Sequence, residues 1–309
     1  LFAALTLLEH GIKPIIYERG KEVSERKIDI AQLNRNMGLN EESNYCFGEG
    51  GAGTFSDGKL FSRSKKRGNM QRVMELFHYF GAPDTVLYEA HAHIGSDKLP
   101  SIIKRMRECI IAHGGEIHFN TCVKSLKEVQ STKETFPIIL AIGHSAHDTY
   151  RMLQCEGVAL ETKGFAMGVR AEHPQELINK LMYHKNRIEY VGNASYSLVT
   201  QVDGRGVYSF CMCPGGHMVP AGSTLRSCVV NGMSASHRNS PFANSGIVVQ
   251  INPEDIPGDD PLRGLAYQEA LETLAYQEAM QCMNNQESKE NAAPAQRLRD
   301  FVEGKTSHT

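Results

Sequence analysis

An apolar helix, a glycine stop and a strand ending on an acid open this chain, and that order confines it to few folds. Leu1 to Leu8 are almost wholly apolar, and Glu9-His10-Gly11 closes them. Ile12-Lys13-Pro14-Ile15-Ile16-Tyr17 then reads as a strand, with Glu18-Arg19 at its carboxyl end. A helix handed by glycine into such a strand is the second half of a dinucleotide-binding βαβ unit, in which the acid accepts hydrogen bonds from a ribose. The first half would be an apolar strand and a G-x-G-x-x-G turn ahead of Leu1, with a pyrophosphate at the helix N-terminus. The sequence opens on Leu rather than Met, and the expectation is a fragment of a dinucleotide-cofactor protein.

Bulk properties narrow the class further. A chain of 309 residues can bury a large core and divide into two domains. A formal net charge of -2 without a basic tract argues against nucleic acid or an anionic membrane surface as the main partner. Apolar residues are interrupted too often for a membrane span. The 8 cysteines are scattered through a chain too long to need staples, which predicts reduced thiols in an intracellular compartment, cytoplasmic or organellar.

Further α/β steps follow. Met70–Phe80 is amphipathic and ends at Gly81, and Lys98–His113 places Leu99, Ile102, Ile103, Met106 and Ile110 at helical spacing before Gly114-Gly115. Glu116–Val123 reads as the next strand, and Pro137–His144 as a continuous apolar run suited to a buried parallel strand. The stretch after Gly20 is polar with little periodicity. Beyond Gly164 short strand-like runs take over, at Phe165–Ala171, Tyr190–Gln201, Val207–Met212, Cys228–Met233 and Ile247–Ile251, predicting an antiparallel-rich second domain. Leu265–Met283 and Ala295–Val302 read as helices after the linker Ile256–Pro261.

Several constellations could carry chemistry. Gly48-Glu49-Gly50-Gly51-Ala52-Gly53 matches G-x-G-x-x-G but lacks the flanking strand and helix of a pyrophosphate loop, so a glycine backbone lying against a flat ligand is the better reading. Cys211-x-Cys213 is either a redox pair or two inert thiols on a buried strand. His91, His93, His113 and His118 lack the spacing of a metal site, and no metal is expected. Lys65-Lys66-Arg67 reads as a solvated run. Arg170 could grip a substrate carboxylate or form a surface ion pair.

Six motifs in order then carry a resemblance. They are Gly50–Leu60 (GGAGTFSDGKL), His93–Leu99 (HIGSDKL), Ala141–Thr149 (AIGHSAHDT), Gly168–Gln175 (GVRAEHPQ), Cys211–Gly216 (CMCPGG) and Asn231–Ser234 (NGMS). This sequence resembles a family of NAD(P)/FAD-dependent dehydrogenases of uncharacterised substrate, relatives of the glutathione-reductase-type flavoproteins. The resemblance covers nearly the whole chain, with truncation expected at both ends and a segment at 124–137 too short for the usual meander. It implies that Glu18, with Arg19 beside it, binds the adenosine ribose of FAD and that the main chain of Val123 lies against the adenine. Ala141 and Gly143 would end a strand close to the cofactor. Gly50, Gly51, Gly53, Thr54, Ser56, Asp57 and Lys59 would line the pyrophosphate or isoalloxazine. Lys59, His144, Arg170 and Cys213 are the catalytic candidates, Lys59 as a cation beside the reduced ring.

The fold class expected is α/β: an incomplete FAD-binding Rossmann-like domain (1–150), an inserted β-rich substrate domain (151–255) and a helical segment (256–309). The function expected is FAD-dependent oxidoreduction of a small-molecule substrate, with NAD(P) as a second cofactor. The alternative is an inactive fragment or interaction module that does not bind FAD.

Overall fold

The computed structural model describes residues 1–60, 68–130, 136–184, 191–282 and 293–307. Helix α1 (Phe2–Glu9) leads through Gly11, at φ +73, into strand β1 (Ile15–Tyr17). Helices α2 (Val23–Asn34), α3 (Met70–Tyr79) and α4 (Leu99–Ala112) follow, and strand β2 (Glu116–His118) pairs parallel to β1 with Ile16 opposite Ile117. The apolar stripe of α4 fixes its seat: Leu99, Ile102, Ile103, Met106 and Ile110 are all buried. They form one core with Ala4 and Leu5 of α1 and Val23, Ile30 and Leu33 of α2. Gly115 lets the chain turn tightly after α4, since a Cβ there would stand 2.6 Å from Ile110.

Helix α5 (His147–Cys155) precedes a four-stranded antiparallel sheet of order β3-β8-β5-β4. Its strands are β3 (Phe165–Pro174), β4 (Val199–Val202), β5 (Arg205–Cys213) and β8 (Phe242–Ile251), with helix α6 (Gln175–Tyr183) after β3. β6 (His217–Pro220) and β7 (Val230–Met233) form a separate antiparallel pair. This pair bridges the two parts of the chain: Val219 and Ala221 join the core built on α1, α2 and α4. Helix α7 (Arg263–Cys282) and the short α8 (Leu298–Val302) close the chain. Among the described residues no helix is long and apolar enough to cross a membrane.

The polar stretch after Gly20 is helical where the sequence shows no period. The buried face of α2 carries Val23, Arg26, Asp29, Ile30 and Leu33, so two charged residues interrupt the apolar stripe. Residues 137–144 form no strand. They find no ladder partner among the described residues and leave Ile139 61% exposed, against the expected burial. The ladder of β2 stops at His118, so Val123 lies beyond it, half-buried and outside any strand. β3 continues through Pro174 because its pairing with β8 runs the full ten residues, which places Arg170 inside the strand rather than at its end. Of the described residues 191–201 only the last pair, in β4, and the last helix begins at Leu298. Tyr190, Met283 and the charged run Lys65-Lys66-Arg67 lie outside the described residues.

Candidate functional site

Glu18 stands at the carboxyl end of β1 and organises the loop that follows the strand. Its Oε1 accepts the backbone N–H of Gly20 at 2.9 Å and that of Gly48 at 3.1 Å. The two glycines touch backbone to backbone, since a Cβ on Gly20 would lie 2.6 Å from the Gly48 Cα. Beneath this contact runs the guanidinium of Arg26, fully buried. It donates to the carbonyls of Asn44 (2.9 Å), Tyr45 (3.2 Å), Gly48 (3.2 Å) and Glu49 (2.7 Å), closing residues 44–49 into an arch. Burial pushes the Arg26 guanidinium down to about 10, with Glu18 and Glu49 pulling the other way, so it remains a cation at neutral pH.

Glu49 holds the other side of the arch. Its Oε2 accepts the N–H of Val23 at 2.7 Å, placing a carboxylate at the start of α2 where the helix dipole favours negative charge. Its Oε1 lies 3.3 Å from Arg107 Nε without accepting a hydrogen bond. Burial raises the Glu49 carboxyl above its ordinary range despite the Val23 hydrogen bond and Arg107. Thr54, also buried, donates to the Glu49 carbonyl at 3.1 Å, and Gly50 must be glycine because a Cβ would fall 2.1 Å from the Thr54 hydroxyl. Gly51 and Gly53 differ: beyond their chain neighbours and their own short helical turn, nothing lies within 4 Å of where their Cβ atoms would be. The arch is therefore packed beneath and bare above. Ser56 donates to the Gly53 carbonyl at 2.7 Å and closes the loop's far end.

A second cluster forms where residues 57–60 run antiparallel to 92–95 and both meet the region after β7. Asp57 is buried and takes Arg238 at two points, Nε at 2.9 Å and Nη2 at 2.5 Å. Burial alone would raise the Asp57 carboxyl, but the Arg238 hydrogen bonds and the charge of Lys59 outweigh it and hold the group below the usual range. Lys59 Nζ lies 3.2 Å from Asp57, 3.6 Å from Cys213 Sγ and 3.8 Å from Cys211 Sγ. Arg170 reaches the same place from β3, bonding Asn244 Oδ1 at 2.7 Å, the Cys211 carbonyl at 3.0 Å and Cys213 Sγ at 3.7 Å. Asp97 accepts the N–H and hydroxyl of Ser236 at 2.7 and 2.8 Å, clamping the cluster's edge.

The sequence-chosen residues thus divide into separate places. Glu18 joins Gly48, Gly50 and Thr54 in the arch, with Gly51 and Gly53 on its open side. Arg19 lies over the Phe47 ring, 4.1 Å from its centroid, and pairs with Glu42 at 2.8 Å and Asp148 at 3.0 Å. Asp57, Lys59, Arg170 and Cys213 converge in the second cluster. Ala141, Gly143 and His144 are exposed and join neither group of contacts, and the Ser145 hydroxyl stands 3.4 Å from His144 Nδ1. His93 Nε2 lies 3.0 Å from the Ser236 carbonyl, and His118 stacks on Tyr17. Among the described residues no three His, Cys, Asp or Glu side chains are grouped as for a metal ion. Sequence reading missed Arg26, Arg238 and Asn244. Only Arg238 had a signal nearby, four residues after the Asn231–Ser234 motif.

Residues 164–309 match the family model described as FAD-dependent protein, C-terminal domain-like. That match supports kinship with a FAD-dependent family. A protein of Clostridium beijerinckii described as "Uncharacterized protein" is 42% identical over 320 residues, covering 99% of this chain and 58% of the relative. The chain therefore spans little more than half the length of that relative.

Proposed function

We propose that the chain carries the greater part of a FAD-dependent oxidoreductase acting on a small molecule. Residues 1–150 would form a Rossmann-like FAD domain, 151–255 an inserted substrate domain and 256–309 a helical segment. The observation that carries this reading is the Glu18 carboxylate at the carboxyl end of a parallel strand beside a bare glycine arch. Ligands of open α/β sheets bind outside the carboxyl ends of the strands, and an acid there suits a ribose. The match of residues 164–309 to a FAD-dependent protein model supports the same reading.

The residues fit such a group in kind. Glu18 Oε1 holds the loop, leaving Oε2 to take a ribose hydroxyl. Gly51 and Gly53 offer backbone without side chains, and glycine allows the close approach a pyrophosphate or flat ring needs. Val123, Ala141 and Gly143 would border the cofactor through main chain. FAD, when bound, supplies a hydride acceptor. The chain's own part would be to orient it and place charge nearby: Lys59, tethered by Asp57, presents a cation beside the second cluster, and Arg170 holds the facing strand. His144, exposed at the end of the 137–144 run, is the nearest titratable side chain to Gly143 in sequence.

The test is the visible spectrum of the purified chain after incubation with FAD and removal of excess. A retained yellow band with quenched flavin fluorescence is expected. A colourless protein with an intact far-ultraviolet dichroism spectrum would overturn the reading. Anaerobic bleaching by NADH or NADPH then tells a nicotinamide donor from a requirement for another small substrate.

A further inference from the structure

The dithiol on β5 has a geometry that an inert strand pair would lack. Residues two apart on a regular strand face the same side, with side chains too far apart for direct bonding. Here β5 breaks register against β8 between Phe210 and Cys213, and Cys211 sits in the left-handed region at φ 48. A non-glycine residue there is uncommon, and strain of this kind gathers at functional sites. The consequence is that the Cys213 side chain folds back on its neighbour, its Sγ donating to the Cys211 carbonyl at 3.3 Å.

Cations from two different elements converge on the pair. Lys59 Nζ stands within 3.8 Å of both sulfurs, and Arg170 reaches Cys213 Sγ and the Cys211 carbonyl. Cys213 is fully buried, whereas Cys211 retains partial exposure. The adjacent Cys213 thiol, with Lys59 and Arg170, draws the Cys211 thiol below its ordinary range against burial and the charge of Asp57. Cys213 moves upward, through the Cys211 sulfur beside it and through burial. The partly exposed sulfur is thus the one favoured as thiolate, and burial holds the other toward its protonated form.

We propose that Cys211 and Cys213 form a redox site oxidised by hydroperoxides, with Cys211 attacking and Cys213 resolving. The Cys211 thiolate attacks one peroxide oxygen, the O–O bond breaks, and the leaving hydroxide takes a proton to depart as water. Cys211 is then a sulfenic acid. The Cys213 thiol displaces its hydroxyl, losing a proton, so a second water leaves and a Cys211–Cys213 disulfide remains. Two electrons pass from the dithiol to the peroxide. Lys59 and Arg170 stabilise the thiolate and the departing oxygen, and a low-pKa, accessible thiolate beside a resolving thiol is the arrangement such chemistry requires.

The experiment uses the full chain without added flavin, so its outcome is separate from that of the FAD reading. Hydrogen peroxide is added in slight excess at neutral pH, and the tryptic peptide 206–226 is weighed. That peptide contains Cys211 and Cys213 and no other cysteine. The expected product is two hydrogens lighter than the reduced peptide. In Cys213→Ser, dimedone should tag Cys211, and in Cys211→Ser the remaining thiol should stay reduced. Lys59→Met, altered at a partly exposed side chain, should slow the oxidation about tenfold or more through loss of thiolate. A wild-type peptide that stays reduced while the other cysteines oxidise overturns the proposal without recourse to any variant. Dimedone on Cys213, or an unchanged rate in Lys59→Met, overturns the assigned roles.

Discussion

Asp57 and Arg238 meet in a two-point ion pair across 181 positions of sequence, with the carboxylate buried and the guanidinium at its edge. The pair joins the strip that follows the glycine arch to the segment after β7. Because it connects the two halves, its loss should be felt by the whole molecule. Arg238→Met leaves a buried carboxylate with Lys59 alone, and the expected cost is roughly 3 kcal/mol, the low end for breaking a buried pair. Urea unfolding at neutral pH measures it. A change within error would mean the pair is ornamental.

The same carboxyl sets an acid limit. Its pKa is lowered in the folded protein, so its contribution is fully present above the unfolded value and lost as pH falls through the folded one. The wild type should therefore lose stability below about pH 4, the ordinary range of an aspartate. Asp57→Asn should flatten that part of the profile. Equal slopes for the two proteins between neutral pH and pH 3 would refute the assignment.

Removing the Glu18 carboxylate leaves the N–H groups of Gly20 and Gly48 without their acceptor. Glu18→Ala should cost about 1–3 kcal/mol, the penalty for unsatisfied donors, and weaken any FAD retention as well. Glu18→Gln keeps one acceptor oxygen and should recover most of the stability but not the cofactor affinity. Thermal melts with and without FAD separate the two effects.

Arg26→Leu keeps an apolar stem but abandons four carbonyl acceptors at once. Amide exchange in residues 44–49 should accelerate far more than in α4, whose buried face is the apolar stripe from Leu99 to Ile110. Uniform acceleration across both segments would argue that Arg26 supports global stability rather than the arch.

What the sequence disclosed, and what it withheld, follows from the kinds of force involved. Helix α4 was legible because its apolar residues repeat at helical spacing, and β1 because Pro14 and Glu18 bracket a β-branched run. Helix α2 escaped because two charged residues sit on its inward face, Arg26 with partners in a loop up to twenty-three residues away and Asp29 with Lys21 ahead of the helix. The run 137–144 misled in the opposite sense: apolar composition suggested burial, but burial needs a neighbouring ladder, and none is paired with it among the described residues. Asp57, Lys59, Arg170 and Cys213 were each singled out, yet their convergence was not foreseen. It depends on the register break in β5, and no propensity rule signals a left-handed cysteine. Asn244 is found only through Arg170, which it holds.

Gly232 gives the second cluster an evolutionary consequence. A Cβ there would fall 2.0 Å from Asn244 Oδ1 and 2.1 Å from Arg170 Nη2. Asn244 is short and fully buried, so the arginine would have to swing away from the dithiol. Positions 170, 232 and 244 are thus tied into one unit of inheritance. A descendant that enlarges residue 232 must shorten its partners in the same lineage, and one that keeps the arginine and asparagine has no side chain to explore at that position.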